Sequence, residues 1–88
     1  MDHEQEIRRL QKSIRSIEIQ ILEHEVKWAE YSKNPNAYDN QNLLISAPTD
    51  EIRQQIIQGR LNKLRREIKG FYSELAKLRM RLIQIRGT

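Results

Sequence analysis

Apolar residues recur at Ile7, Leu10, Ile14, Ile17 and Ile21, and the same spacing continues through His24, Trp28 and Tyr31. Steps alternating between three and four residues place all of these on one side of a helix as a heptad seam. A second series has the same rhythm: Ile57, Leu61, Leu64, Ile68, Phe71, Leu75, Leu78, Leu82 and Ile85. Between the two lies 34–49, which holds both prolines of the chain and four asparagines. Pro35 disfavours helical backbone at Asn34, and Pro48 does the same at Ala47. Thr49 then reads as an N-cap, and Asp50 and Glu51 follow in a first turn that suits acidic side chains. The pattern predicts one all-α domain over 1–88. It is an antiparallel two-helix hairpin with a first helix at about 3–33, a long ordered loop at 34–49 and a second helix at about 50–86.

The seams also suggest a register. One antiparallel alignment sets Ile14 on Phe71, Ile17 on Ile68, His24 on Leu61, Trp28 on Ile57 and Tyr31 on Gln54. In that alignment Glu4 approaches Arg79, Glu18 approaches Arg65 and Glu6 approaches Arg81. Such exposed pairs contribute about 0–1 kcal/mol each. Leu82 and Ile85 then extend past the start of the first helix. Further apolar stripes lie outside the seams, with Ile19, Leu22, Val26 and Ala29 on the first helix and Tyr72, Ala76, Met80 and Ile83 on the second. One partner helix cannot cover two stripes. Ile19, Leu22, Val26, Tyr72, Met80 and Ile83 are therefore the candidate oligomer interface, and a homodimer closing into a four-helix bundle is the simplest symmetric answer. Another protein is the alternative cover.

Helix–helix connections usually take about 2–8 residues, so this loop is long. Tyr38, Leu43, Leu44 and Ile45 are expected to pack inward, with Asp39, Asn40 and Asn42 closing Asx turns. The expectation is a cap folded over Leu22, Val26 and Trp28; the alternative is a loop that orders on binding a partner. Gly59 and Gly70 interrupt the second helix at up to about 1 kcal/mol each relative to alanine. Gly59 reads as a close approach by Trp28 or the loop. Gly70 reads either as admitting a neighbouring helix or as a tolerated surface glycine.

Composition narrows the classes. A chain of 88 residues, 38% hydrophobic and 32% charged, has a thin core as a lone hairpin. With no cysteine, neither a disulfide framework nor a thiolate metal site is available. No apolar run approaches the roughly 20 residues that span a bilayer, so no membrane partner is expected. The acidic, polar N-terminus is unlike a signal peptide, which makes the cytoplasm the default expectation. Charge is uneven: residues 1–48 hold 6 basic and 8 acidic side chains, and residues 49–88 hold 10 basic and 4 acidic. The halves attract one another, and the overall charge of +4 admits an anionic partner.

Chemically versatile side chains concentrate at the hairpin tip. His24, Trp28, Tyr31, Tyr38, Asp39 and Arg60 form the candidate tip site, with Glu25 and Arg53 nearby. Histidine beside tyrosine, acid and arginine is a set capable of acid–base work. The structural reading makes His24 a partly buried seam residue bonded to the loop, and Tyr31 a polar end to the core. No phosphate-binding glycine loop, nucleophile elbow or metal-ligand spacing occurs, so no catalytic residue, metal or cofactor is assigned. On the second helix Arg65, Arg66 and Lys69 are candidate anion-binding residues. Its basic side chains point several ways, and nucleic acid enters as a possible partner on charge alone.

A resemblance runs through residues 31–68. Tyr-Ser-Lys-Asn-Pro-Asn-Ala-Tyr-Asp-Asn leads to Leu-Leu-Ile-Ser-Ala-Pro and then to Glu-Ile-Arg-Gln-Gln-Ile-Ile-Gln-Gly-Arg-Leu-Asn-Lys-Leu-Arg-Arg-Glu-Ile. This order resembles the helical segment at the C-terminus of bacterial polymorphic toxins of the Rhs and contact-dependent type. The resemblance implies a bacterial or phage setting, and secretion within a larger toxin system in place of the cytoplasm. It carries no catalytic residue onto this chain. Two functions follow as expectations: a non-catalytic interaction and oligomerisation module, or a toxin-related domain that engages nucleic acid through its basic helix or its tip.

Overall fold

The computed structural model describes residues 3–39 and 42–87. Helix α1 is His3–Lys33, a 3-10 turn follows at Pro35–Tyr38, and helix α2 is Asp50–Arg86. The two helices pack side by side in a rod of 61 × 18 × 17 Å. Local chemistry sets the ends. Asn34 closes α1 with a last bond from its N–H to the Glu30 carbonyl, and Pro35, which has no N–H to give, opens the 3-10 turn. Thr49 is extended, and its hydroxyl accepts from the Ile52 N–H at 3.2 Å, so the predicted cap is present.

The seam is buried where the rhythm places it. Ile21, Tyr31 and Leu75 are buried, and the other seam members from Ile7 to Trp28 and from Ile57 to Leu82 are half-buried. The register differs from the sequence expectation by about one heptad. His24 lies edge-on to Phe71, with ring centroids 4.9 Å apart, rather than against Leu61. Trp28 lies under the Arg65 guanidinium at 5.6 Å and Tyr31 under Arg60 at 5.8 Å, rather than opposite Ile57 and Gln54. Ile14 therefore cannot sit on Phe71. Ile85, expected to overhang, is buried, and Leu82 is half-buried. The physical reason is that a heptad seam maps onto itself after a seven-residue shift, so apolar pairing alone does not separate the two registers.

Ion pairs did not separate them either. Glu6 and Arg81 meet at 2.9 Å as expected, but Glu18 pairs with Arg79 at 3.7 Å instead of with Arg65. Long exposed side chains reach partners in either register. Gly59 and Gly70 have open space where a Cβ would stand, so neither marks a close approach.

The loop is ordered, but it caps the end of the seam and not the outer stripe. Leu44 is 2% exposed, whereas Leu22 is 62% exposed and Val26 is also exposed. Of the four loop residues expected inward, Leu44 alone is buried; Leu43, Tyr38 and Ile45 face outward, Ile45 at 75%. Asn42 adopts the left-handed region at φ 55°, a conformation asparagine tolerates, and its N–H donates to the Asp39 carbonyl. The turn expected at Asn40 lies outside the described residues.

Candidate functional site

The tip is built around a buried carboxylate. The Asp39 side chain is 1% exposed. It accepts from three successive backbone amides: Leu43 N–H at 2.9 Å on Oδ1, and Leu44 and Ile45 N–H at 2.8 and 3.3 Å on Oδ2. Arg60 of α2 supplies the counter-charge at 3.5 Å from Oδ1. An ionised carboxylate has about four acceptor sites, and the three amides take most of them. The amides it holds turn Leu44 down onto the end of the seam and leave Leu43 and Ile45 outside. The Arg60 guanidinium continues over the Tyr31 ring, tying loop, α1 and α2 together. Arg53 adds a bond from its Nη2 to Asn36 Oδ1 at 2.9 Å.

His24 stands apart from this staple. Its Nδ1 meets the Gln20 carbonyl at 2.8 Å and its Nε2 meets Glu67 at 3.2 Å. Both ring nitrogens face acceptors, so the ring donates twice only as an imidazolium. The bond expected between His24 and the loop is replaced by one within α1 and one to α2. Tyr38 donates to the Glu30 carboxylate, and Tyr72 donates to Glu25 at 2.7 Å. The hydrogen bond to the neighbouring carboxylate, and then burial, raises the pKa of each tyrosine above its ordinary value.

The tip site of the sequence analysis therefore splits. Tyr31, Tyr38 and Arg60 line one cavity of about 290 Å3, which Lys27, Lys63, Leu64 and Glu67 complete. Asp39 stands behind Arg60, while His24 and Trp28 belong to the packed seam. No protein-family model, curated protein or solved structure matches this chain. Acid–base work is poorly served, because Asp39 is buried and bonded to three amides and His24 is held by two acceptors away from it. No group of three or more metal-ligating side chains occurs among the described residues, and no helix there is long and apolar enough to cross a membrane.

Lys63 was read in the sequence only as one of the basic residues of the second helix, and Lys27 and Glu67 were missed because each flanks the seam at a position that gains meaning only once the register is known. The candidate anion residues do not form one site. Arg65 stacks on Trp28, and Arg66 and Lys69 are exposed with no polar partner among the described residues.

The interface candidates gather in part. All six are exposed: Ile19, Leu22, Val26, Tyr72, Met80 and Ile83. The bonds Glu18–Arg79 and Glu25–Tyr72 bridge the helices along one flank of the rod. Leu22 and Ala29 lie three residues before and four after Glu25, and Ala76 and Met80 lie four and eight after Tyr72. Those spacings put Leu22, Ala29 and Ala76 on the Glu25 flank with Tyr72, while Met80 lies further round α2, and Ile19 and Val26, six residues before and one after Glu25, turn toward the outer side of α1. The pairs Glu6–Arg81 and His24–Glu67 mark the opposite flank, which also carries the tip cavity.

Proposed function

We propose that the chain is a non-catalytic interaction module in which two hairpins pair through the Glu25 flank to make a four-helix bundle. The observation that carries this reading is that each helix leaves an apolar stripe uncovered, with Leu22 at 62% and Ile83 at 65% exposure, and that the Glu25 flank holds part of both. Burying apolar surface yields about 25 cal/mol per Å2, which makes such a flank a strong driver of association. The stripes are offset along the rod, with that of α1 nearer the tip and that of α2 nearer the open end. A twofold axis perpendicular to the rod brings the α1 stripe of one copy level with the α2 stripe of the other. That arrangement is closed and self-complementary.

Sedimentation at micromolar concentration tests the reading. The expected mass is at least twice the 10.6 kDa of one chain, and Leu22→Glu and Met80→Glu should each shift the equilibrium toward monomer. A folded monomer at all concentrations would overturn it and leave the flank to a different protein.

A second reading rests on the unpaired cations Arg66 and Lys69 beside Arg65. In it the chain is related to polymorphic toxins and binds nucleic acid through phosphates. Affinity should then fall steeply with added salt, and Arg65, Arg66 and Lys69 changed together to glutamine should weaken it. Absence of RNA or DNA binding at low salt removes this reading.

A further inference from the structure

The tip cavity on the Glu67 flank is bordered by more cations than the carboxylates around it pair. Three cations border it, Lys27, Arg60 and Lys63, against one carboxylate, Glu67, which is already engaged by His24 Nε2 at 3.2 Å. Lys27 and Lys63 have no hydrogen-bond or ion-pair partner among the described residues. The Arg60 contact to Asp39, at 3.5 Å, is longer than the roughly 2.7–2.9 Å of a charge-assisted hydrogen bond, so the guanidinium retains donor capacity. Its Nη1 and the Tyr31 hydroxyl are both enclosed, and neither has a partner among the described residues.

We propose that this cavity binds a small organic anion, a phosphate or carboxylate on a body about the size of a single ring. The anion sits between the Lys27 and Lys63 ammonium groups and the exposed edge of Arg60, whose side chain is 28% exposed. The body rests on Tyr38 and Leu64. A volume of about 290 Å3 lies at the low end of ligand pockets, which run from roughly 300 to 1,000 Å3, and this sets the size of the body. The site lies on the flank opposite the proposed interface, so its occupancy does not depend on dimer formation.

Titration of 15N-labelled full chain with phenyl phosphate, benzoate, inorganic phosphate and benzyl alcohol tests the proposal. Saturable shifts centred on Tyr31, Tyr38, Arg60 and Leu64 are expected with the two aryl anions, and no saturable shift at these positions is expected with the neutral alcohol. The relative affinity of phenyl phosphate and benzoate reports which anion is preferred, and inorganic phosphate alone should bind more weakly for lack of a body. Lys27→Met with Lys63→Met should raise Kd on the order of tenfold, as for the loss of two surface charge contacts. Both changes lie outside the buried staple, and the far-ultraviolet helix signal checks that the fold is retained. Leu22→Glu should leave the affinity unchanged, which separates this site from the proposed interface. Shifts spread over all basic residues, or shifts unaltered in the double lysine variant, would mean a solvated charge only and would overturn the proposal, as would no saturable shift at about 10 mM.

Discussion

Along the shaft, Ile21 and Leu75 are buried in a seam that repeats every seven residues; at the tip, Leu44 is buried by a carboxylate that touches three particular amides and one particular arginine. The two regions differ in what they specify. Any seam member fits the hole left by another one heptad away, so the shaft contributes apolar burial without choosing a register. The tip instead joins particular residues. A slip of seven residues would move Arg60 by about 10 Å, at 1.5 Å of rise per residue, and break its contacts with Asp39 and the Tyr31 ring, and it would take Arg53 away from Asn36 to the place that Arg60 leaves. Stability resides mainly in the shaft, and register resides mainly in the tip.

The sharpest way to break this comparison is to cut the shaft. Ile21→Ala and Leu75→Ala should each cost about 2–5 kcal/mol, a large share of the roughly 4–13 kcal/mol expected for a chain of this length. Urea melts followed by circular dichroism measure it, and unchanged midpoints for both would place these residues outside the core. At the tip, Asp39→Ala removes the acceptor of three amides and should cost about 1–3 kcal/mol. If the urea midpoint did not fall, the loop would be held by something other than its carboxylate.

Register itself is read by cross-linking. With Glu25 and Tyr72 changed to cysteine, a short bismaleimide should close within the chain. The pair at Glu18 and Arg65, which the slipped register would bring together, should react more slowly. Arg60→Met should raise the yield of the second pair relative to the first. A ratio indifferent to Arg60 would show that the tip does not set the register. The smallest effect belongs to the tyrosines. Tyr38 and Tyr72 have pKa values raised by their carboxylate partners, so the stability these bonds add is fully present below the ordinary value of about 10. It is lost as pH climbs through the raised values. Ultraviolet titration should show a late-ionising component that shrinks in Tyr38→Phe and again in Tyr72→Phe.

The helices and their ends were legible in the sequence. Proline chemistry at Pro35 and Pro48, the Thr49 cap and the seam rhythm all act within a few residues of themselves, so a one-dimensional reading captures them. The exposed stripes were legible for the same reason, since Ile19, Leu22 and Val26 share a side of α1 by spacing alone. Tertiary structure decided the rest. A periodic seam carries no marker of register, so the partners of His24, Trp28 and Tyr31 depended on closure of the loop. Asp39 looked like one Asx turn among several until the fold enclosed it and set Arg60 beside it. How far the two apolar stripes shared a flank, and whether Lys27, Arg60 and Lys63 bordered one cavity, followed from that same closure. Each joins residues of both helices, and nothing local to either helix fixes how they meet.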